Sequence, residues 1–571
     1  MKNIYLAQFS TISLDRYFYF PYSAGLVWCY ASTHEDVAAN YSLKSILWKK
    51  EEIDVIVDSL DNPAVFGMSL YVWNIYYNIE LAKKIKDRYP NCTIVFGGPG
   101  VPDKDLSYFK KYPWVDFCVH TEGEIAFTEL LQELLKDDPD FSTVSSISYA
   151  GPFQTHYTSH KGRIKDLEDI PSPYLTGLFD PIVEEAKEKN LVMNGLLETN
   201  RGCPFKCSFC DWGGLTYGKV FRFNLDRVQQ EIEWMGRNGV ELMGCADANF
   251  GIFASRDKQV AQWMIDTKAK YGYPKFFDTS WTKVTKPETL EIARMLMDAG
   301  LLRKFTMSVQ TLDEQTLKNI KRTNVDGSTF QSLIYDRDIS ISTELITGLP
   351  GETLDSYKRG ICKLIEDEIK IVSNPLTLLP NSEMSTPEYR REWKIKGKMI
   401  HSSFSSHGVD EWEELCIETA SYTQSDWQEM IIWGWLTMFL DTYYWTDLIA
   451  KQYDTKLWYD WANQWFRSHE TPLSPWLDKW KNHLEDGLSY ELWGGGVGTT
   501  DLDTNEAMIV CPTWDILLRQ CVEEFCETHS LPLPDEAIIL QQLNRHQLLP
   551  GYDSLSHQLV STRWNYHSRA A

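Results

Sequence analysis

The stretch ETNRGCPFKCSFCDWGG, residues 198–214, places three cysteines within eight positions, at Cys203, Cys207 and Cys210. A C-x-x-C pair on its own is typical of a redox motif or of half a zinc site. Structural zinc takes four N or S ligands, and the nearest further cysteine is Cys245. Three thiolates instead suit an iron–sulfur cluster, and a four-iron cluster held by three cysteines leaves one iron open to an exogenous ligand.

The cysteine stretch follows the first of six predicted strands in residues 186–390. Stretches with a helical pattern, such as residues 225–239 and 286–300, separate these strands. The strands are MNGLLETN (193–200), VELMGCAD (240–247), KFFDTSW (275–281), KFTMSVQ (304–310), ISTELITG (341–348) and IKIVSNPLTLLP (369–380). Six βα units predict a partial (βα)6 barrel, and the chemistry of such barrels lies at the carboxyl ends of the strands.

Residues 1–150 also alternate between strand-like and helical runs, which predicts a doubly wound sheet of parallel strands. The ligands of such sheets lie beyond the carboxyl ends of the strands. The loops at those ends are YVWN (Tyr71–Asn74), GGPGVPD (Gly97–Asp103) and TEGE (Thr121–Glu124). Their glycines let the backbone approach a ligand closely or serve only the turn. The sequence contains no G-x-G-x-x-G, so a dinucleotide site has no support.

Residues 151–185, with Pro171 and Pro173, are predicted to be a linker. Residues 391–571 lose the regular alternation and become helical in pattern. They hold 14 of the 22 tryptophans, which we expect to anchor helix packing. The predicted fold class is therefore α/β, with an N-terminal doubly wound domain, a central partial barrel and a mainly helical C-terminal domain.

Bulk properties limit the partners of the chain. The net charge is −24, whereas binding to a phosphate backbone rests on clustered Lys and Arg. The most apolar run, residues 431–440, is too short to cross a bilayer, and the first residues contain no apolar signal core. Twelve cysteines in 571 residues do not form a disulfide framework. We expect a cytoplasmic protein without a nucleic-acid or membrane partner.

The C-x-x-x-C-x-x-C spacing in this position resembles the radical S-adenosylmethionine (SAM) enzymes, in which SAM binds the open iron of a [4Fe-4S] cluster. Residues 247–257, 308–324 and 344–353 resemble the segments that line the SAM site of that family. The three N-terminal loops and the connector IPSPYLTG (170–177) resemble the cobalamin-binding domain of the cobalamin-dependent branch. The resemblance covers residues 1 to about 390. It makes the C-terminal domain, residues 391–571, a candidate substrate cover.

The resemblance implies roles for individual barrel residues. Cys203, Cys207 and Cys210 would bind the cluster, and Phe209 would lie against the adenine of SAM. Gly213 and Gly214 stand where many members have Gly-Gly-Glu, so the amino group of SAM would be held differently here. Asp247 and Asn249 are expected to bind ribose hydroxyls, unless they only form a turn. Ser308, Gln310 and Glu344 are expected to point into the barrel at the SAM site, with buried polar packing as the alternative.

In the cobalamin-binding domain, the resemblance assigns the cofactor to Tyr71, Trp73, Asn74, Gly97, Gly98 and Gly123. The D-x-H-x-x-G sequence that supplies a histidine below cobalt in many corrin proteins is absent. His34 and His120 are lone candidates for such a ligand. We predict instead that the Tyr71–Asn74 loop meets the lower face of cobalamin and that Trp73 is the first candidate for this contact, although a core-packed tryptophan is the ordinary alternative.

The family implies a cobalamin-dependent methyltransferase that acts on an unactivated carbon of a small-molecule or peptide substrate. SAM would be cleaved to a 5'-deoxyadenosyl radical, which takes hydrogen from the substrate, and a second SAM would supply the methyl group through cobalt. An electron donor such as flavodoxin or ferredoxin would be needed. Two alternatives share every motif: a rearrangement or cyclisation without methyl transfer, and a non-catalytic redox or corrin-binding protein.

Overall fold

The structure is a computed structural model that describes residues 1–10, 17–211, 218–283, 286–324, 341–442, 445–486 and 513–546. It confirms the predicted α/β class. Two sets of parallel strands with helices between them are followed by a mainly helical region.

The first sheet has seven strands in the order β3-β1-β4-β5-β6-β7-β8. Pairing is parallel from β3 to β6 and antiparallel from β6 to β8. The strands to this point in the chain are β1 Lys2–Ala7, β2 Tyr17–Tyr19, β3 Tyr41–Leu47, β4 Pro63–Ser69, β5 Thr93–Gly97, β6 Phe117–Val119, β7 Ile147–Ala150 and β8 Thr155–Tyr157. Strand β2 lies in a different sheet, described below.

The strand order reverses between β1 and β4, because β3 lies on one side of β1 and the later strands on the other. In doubly wound sheets this switch point is where a crevice forms beyond the carboxyl ends of the strands. The helices that flank the sheet are α1 Tyr22–Ala31, α2 Glu35–Asn40, α3 Ile53–Ser59, α4 Ile75–Arg88, α5 Tyr108–Lys111 and α6 Gly123–Glu133. Residues that follow β1 and β4 should therefore line a ligand site.

All six predicted barrel strands are present, and they form two parallel sheets that adjoin between β13 and β14. The sheets have the orders β13-β12-β9-β2 and β14-β15-β16. Their strands, with the short antiparallel pair β10 and β11, are β9 Val192–Leu197, β10 Asn200–Arg201, β11 Phe221–Arg222, β12 Leu242–Phe250, β13 Phe276–Trp281, β14 Phe305–Gln310, β15 Ile341–Thr347 and β16 Lys370–Pro375. The N-terminal strand β2 pairs with β9, which sequence analysis did not predict.

Helices alternate with the barrel strands as predicted, beginning with one helix before β9. They are α7 Asp180–Glu188, α8 Leu225–Asn238, α9 Ala254–Tyr271, α10 Pro287–Asp298, α11 Glu314–Asn319 and α12 Leu354–Glu366. Helices α8 and α9 end at Gly239 and Gly272, both with positive φ, which is the usual glycine stop of a helix.

The C-terminal region is mainly helical, as predicted, but it begins with an antiparallel hairpin. Its elements are α13 Pro387–Trp393, β17 Lys396–His401, β18 Trp412–Glu418, α14 Gln424–Thr442, α15 Asp447–Ala450, α16 Thr455–Ser468, α17 Ser474–Asp486, α18 Trp514–His529 and α19 Asp535–His546. The side chains of β17 and β18 carry many charges, so the alternation typical of a half-buried strand is weak there.

The C-terminal helices share one hydrophobic core with the barrel. Trp427, Trp433 and Trp458 are almost fully buried in this core, which confirms their predicted role as packing anchors. The Tyr422 hydroxyl donates a 2.6 Å hydrogen bond to the Gly348 carbonyl at the end of β15. The helices therefore stabilise the barrel directly. In the part of the chain that the structure describes, no helix is long and apolar enough to cross a membrane.

Candidate functional site

The cysteine loop lies at the carboxyl ends of the barrel strands. Cys203 and Cys207 are buried and Cys210 is half-buried. Cys203, Phe209 and Cys210 line a cavity of about 150 Å³. The rest of its lining comes from the ends of β12, β13 and β14 and from the segment after α11, namely Ala248, Ser280, Trp281, Thr282, Lys283, Met307, Ser308, Val309, Gln310, Arg322 and Asn324.

Donor groups face the cysteine sulfurs. Asn249 Nδ2 lies 3.4 Å from Cys203 Sγ, and Lys283 Nζ lies 3.0 Å from Cys207 Sγ. The buried guanidinium of Arg322 is also close to Cys207, whose charge acts to raise the pKa of Arg322 against the lowering effect of burial. Positive charge and N–H donors favour thiolates, and hydrogen bonds to sulfur tune iron–sulfur clusters. The residues present therefore fit a cluster.

The geometry differs from that of a single-ion site. Among the described residues, no group of three or more His, Cys, Asp or Glu side chains is placed to hold one metal ion. Each cysteine of a cluster binds a different iron, so its thiolates need not meet at one point. A zinc site would need four ligands around one ion.

Asp247 holds the start of the cysteine loop, and its predicted contact with ribose stays a prediction. Its carboxylate is fully buried and accepts four hydrogen bonds of 2.5 to 3.0 Å, from the backbone and side chains of Thr199 and Asn200. Burial raises the pKa of Asp247 to about 7, whereas these four donors favour the carboxylate. With both oxygens used in this way, the side chain positions the segment four residues before Cys203.

Asn249 lies next to the cysteines, as its donor contact to Cys203 shows. Its Oδ1 is buried and has no hydrogen-bond partner among the described residues. A buried carbonyl oxygen without a donor is costly, and a ligand hydroxyl or amine would satisfy it. The predicted contact of Asn249 with SAM therefore stays a prediction that fits the structure.

Ser308, Gln310 and Glu344 all face into the barrel, but they lie in two cavities. Gln310 lines the cysteine cavity, where its φ of +67° coincides with a break in the register between β14 and β15. Glu344 lines a second, larger cavity. Ser308 lines both, and its hydroxyl donates a 2.7 Å hydrogen bond to Glu344 Oε2. Glu344 is thus placed beside the cysteine cavity rather than in it.

The larger cavity has a volume of about 380 Å³ and lies between the first sheet and the barrel. Its N-terminal wall is formed by Gln8, Phe9 and Ser10, which follow β1, and by Trp73, which follows β4. These residues occupy the switch point of the doubly wound sheet. The barrel wall and the β2 region contribute Tyr19, Phe20, Leu196, Gly244, Cys245, Asp278, Thr279, Ser280, Trp281, Thr306, Ser308 and Glu344.

The described lining of the larger cavity contains two carboxylates, Asp278 and Glu344, and no Lys, Arg or His. Burial, with a smaller contribution from Glu344, raises the pKa of Asp278. Burial and the charge of Asp278 raise the pKa of Tyr19. The cavity is therefore electronegative and rich in acceptors.

The Tyr71–Asn74 loop presents Trp73 to this cavity. The ring of Trp73 is stacked on that of Tyr71, with centroids 4.5 Å apart, and its indole N–H donates to the Phe9 carbonyl at 3.1 Å. Asn74 has a structural role in this loop, and its predicted contact with the cofactor stays a prediction. It is fully buried, its Oδ1 accepts the Tyr71 N–H, and its Nδ2 donates to the carbonyls of Phe9 and Ser69.

The predicted glycines lie at the carboxyl ends of β5 and β6. Gly98 requires glycine, because its φ is +88° and a Cβ there would lie 2.8 Å from the Leu70 carbonyl oxygen. Gly97 ends β5, and Gly123 begins α6 with a Cβ direction toward Val27. Their contact with a cofactor stays a prediction. Gly213 and Gly214 lie outside the described residues.

Neither histidine candidate lines a described cavity. His34 Nδ1 hydrogen-bonds the Tyr30 carbonyl on the preceding helix. His120 is buried and bonds the Ser148 hydroxyl at 2.8 Å, and burial lowers its pKa to about 4.

No described residue of the C-terminal domain lines either cavity. The prediction that this domain covers the substrate therefore stays a prediction, and residues 487–512 and 547–571 lie outside the described part. The structure also shows site residues that sequence analysis did not assign: Lys283, Arg322, Asp278 and Trp281. Three of these residues lie in or just after the predicted strand 275–281, namely Asp278, Trp281 and Lys283. Their position near the carboxyl end of a barrel strand was the feature of the sequence that could have identified them as site residues.

Comparison with known proteins agrees with this site. Residues 197–359, which include the three cysteines, match the family model of the Radical SAM superfamily. The cobalamin-dependent radical SAM methyltransferase TokK of Streptomyces tokunonensis is 35% identical over 429 residues, which cover 73% of this chain and 63% of TokK. A 2-(S-pantetheinyl)-carbapenam-3-carboxylate methyltransferase of Streptantibioticus cattleyicolor is 34% identical over 427 residues, which cover 73% of this chain and 62% of that protein. The chain thus spans less than two thirds of either relative.

Solved structures support the fold. The cobalamin-dependent SAM radical enzyme OxsB, with aqua-cobalamin and SAM bound, superposes over 100% of this chain and 80% of its own, with a TM-score of 0.55 and 15% identity. The radical SAM methyltransferase TsrM of Kitasatospora setae covers 67% of this chain and 75% of its own, with a TM-score of 0.51 and 13% identity. Residues 197–359 thus carry the radical SAM pattern, and the chain is similar in sequence and in fold to cobalamin-dependent radical SAM enzymes.

Proposed function

We propose that this protein is a cobalamin-dependent radical SAM methyltransferase that methylates an unactivated carbon of a small molecule. The observation that carries the proposal is the adjacency of two cavities. The cysteine cavity and the larger cavity at the switch point share Ser280, Trp281 and Ser308. A group formed in the first cavity would meet a substrate in the second across these side chains.

The cofactors are proposed to be a [4Fe-4S] cluster, SAM and cobalamin. Cys203, Cys207 and Cys210 would hold the cluster, and Phe209, Asn249 and Gln310 lie where they would contact SAM. When bound, these groups supply one-electron cleavage of SAM and methyl transfer through cobalt. The electron would come from a donor such as flavodoxin or ferredoxin.

The residues of the chain supply placement for this chemistry. Lys283 and Arg322 put two positive charges next to the cysteines, where a carboxylate of SAM would be stabilised. Trp281 packs its ring against Phe305 inside the barrel, with centroids 4.8 Å apart, and forms a wall common to both cavities. The fixed wall restricts where a reactive group can move.

We propose that the Trp73 ring contacts the lower face of the corrin ring of cobalamin. The Trp73 ring is flat, held by its indole hydrogen bond and by stacking on Tyr71, and it lies at the switch point where a cofactor is expected. Because the described lining of the larger cavity contains no imidazole, we propose that cobalamin binds with its own base detached and without a nitrogen ligand from the protein.

We expect the electron paramagnetic resonance spectrum of the cob(II)alamin form to show no splitting from a coordinated nitrogen. Weak axial ligation would favour the low-valent cobalt that accepts a methyl group. The control is the same spectrum of His34→Ala and His120→Ala. Nitrogen splitting that disappears in either variant would contradict the prediction and identify the ligand.

The charge of the larger cavity indicates the substrate class. Asp278 and Glu344 are acceptors, so we propose a small molecule that presents amide N–H or hydroxyl donors to them. The pantetheinyl compound named for one relative carries such donors on its pantetheine arm, and it is the first compound to test.

Glu344→Gln and Asp278→Asn are expected to raise the KM for that compound about tenfold each, because a hydrogen bond to a charged acceptor contributes about 1.5 kcal/mol or more. The change in kcat should be smaller, since the lost contact is made in the ground state as well. Asp266→Asn, an exposed position on α9, is the control. An unchanged KM in both cavity variants would show that these carboxylates do not bind the substrate.

A further inference from the structure

Glu411 is a carboxylate of the C-terminal hairpin that lies at the first turn of helix α4 in the N-terminal domain. It is fully buried, and its two oxygens accept the N–H groups of Tyr76 and Tyr77, each at 2.9 Å. The first amides of a helix have no partner within the helix. A carboxylate at this end is favoured by hydrogen bonding and by the helix dipole.

The residue that would ordinarily cap this helix is used elsewhere. Asn74 precedes α4 but makes no side-chain hydrogen bond to its first turn. Its amide instead holds the Tyr71–Asn74 loop through Tyr71, Phe9 and Ser69. The loop is therefore held by Asn74, and the first turn of the helix is held by Glu411 of the C-terminal hairpin.

Lys50 joins the same contact. Its Nζ donates to the Trp73 carbonyl at 2.8 Å and to the Phe404 carbonyl at 3.1 Å, and it lies 3.7 Å from Glu411 Oε1. It also lies over the ring of Tyr77, 5.3 Å from the centroid. One largely buried ammonium, its side chain 11% exposed, thus connects the backbone of Trp73 to the hairpin.

We infer that Glu411 and Lys50 are positioning residues for Trp73, and that through them the C-terminal hairpin sets the shape of the cobalamin site. The hairpin does so without lining the cavity. The inference rests on the proposed function, in which Trp73 lies below the corrin. It also gives residues 402–411 a role that differs from covering the substrate.

Loss of the contact should weaken cobalamin binding. If the loop holds Trp73 in place in only a fraction of the molecules, the apparent dissociation constant rises by the inverse of that fraction. Removing a helix cap typically shifts such an equilibrium about tenfold. We therefore expect about a tenfold loss of cobalamin affinity in Glu411→Gln and in Lys50→Met.

Glu413→Gln is the matched control. Glu413 is a buried acid on the same hairpin, two residues from Glu411, and it bonds the Ser402 hydroxyl at 2.6 Å within the hairpin. Full-length variants reconstituted with iron and sulfide would be titrated with hydroxocobalamin. Iron content and SAM affinity would be measured on the same samples, because an effect confined to the Trp73 loop leaves both unchanged.

A second readout needs no cofactor. Amide hydrogen exchange at Tyr76 and Tyr77 should be faster in Glu411→Gln than in the unmodified chain and in Glu413→Gln. Lys50→Met leaves the helix cap in place and removes the Trp73 contact, so it tests the inference even if Glu411→Gln folds poorly.

Weaker cobalamin binding in both variants, with the control near the unmodified chain, is the expected result. Equal loss in Glu413→Gln would show a general effect of the hairpin and overturn the inference. Unchanged affinity in Glu411→Gln and Lys50→Met would overturn it as well. If the unmodified chain binds no hydroxocobalamin, the proposed function fails, and that outcome is distinct from an unchanged affinity in the variants.

Discussion

Cys207→Ala is expected to lower the iron content from about four atoms per chain to less than about one, and to abolish formation of 5'-deoxyadenosine from SAM. Cys207 is buried next to two cationic side chains, Lys283 and Arg322, and its thiol is one of the three that the C-x-x-x-C-x-x-C motif provides. Iron content by chemical assay and 5'-deoxyadenosine by mass spectrometry are the measurements.

Cys245→Ser is the control for this prediction. Cys245 is buried on β12 and lines the larger cavity, and it is absent from the lining of the cysteine cavity. Its replacement should leave the iron content unchanged. Loss of iron in this variant would indicate a four-cysteine site, and a Cys207→Ala protein that kept both iron and SAM cleavage would contradict the assignment of the cluster.

Arg201→Ala is expected to lower the free energy of unfolding by about 3–5 kcal/mol, because it leaves buried carboxylates without their partner. Arg201 lies two residues before Cys203 and donates to Glu198 through two nitrogens, at 2.9 and 3.0 Å. Its third contact, at 2.8 Å, is with Glu124 at the start of α6. Burial opposes its charge, but Glu124 and Glu198 outweigh this effect and raise the pKa of Arg201.

The same contacts connect the cysteine loop to the N-terminal loop Thr121–Glu124. Arg163 adds a second connection, because it donates to Glu122 at 2.8 Å and to the Arg201 carbonyl at 3.0 Å. Arg201→Ala should therefore also loosen the loop that precedes Cys203.

Urea unfolding followed by tryptophan fluorescence would measure the effect of Arg201→Ala. The control is Arg391→Ala, which removes an exposed pair with Glu388 and should leave the free energy of unfolding nearly unchanged. If Arg201→Ala lowers the free energy of unfolding no more than this control does, the ion pairs of Arg201 with Glu124 and Glu198 do not stabilise the contact between the cysteine loop and the N-terminal domain.

The barrel and the cysteine site could be predicted because local patterns specify them. All six barrel strands were found from the alternation of strand and helix runs, and the spacing of Cys203, Cys207 and Cys210 identified the loop. The position of Trp73 followed from the rule that ligands lie at the carboxyl ends of parallel strands. These features depend on residues close together in sequence.

The features that sequence analysis missed depend on long-range pairing. Strand β2 has only three residues, and it pairs with β9, which lies more than 170 residues later in the sequence. A local hydrophobic pattern therefore could not predict it. The partner of the first turn of α4 is Glu411, more than 330 residues later. Asp247 was given a ligand role because it ends a predicted strand, but only its buried contacts with Thr199 and Asn200 show that it holds the loop.

The central claim is that the chain uses SAM in two ways, and the products of SAM test it most directly. The reconstituted protein, with cobalamin, a reductant and methyl-labelled SAM, would be assayed for both products by mass spectrometry, with the pantetheinyl carbapenam as the candidate acceptor. We predict both 5'-deoxyadenosine and S-adenosylhomocysteine, and a labelled methyl group on the acceptor. Formation of 5'-deoxyadenosine without S-adenosylhomocysteine would contradict methyl transfer and favour a rearrangement, and formation of neither product would contradict catalysis altogether.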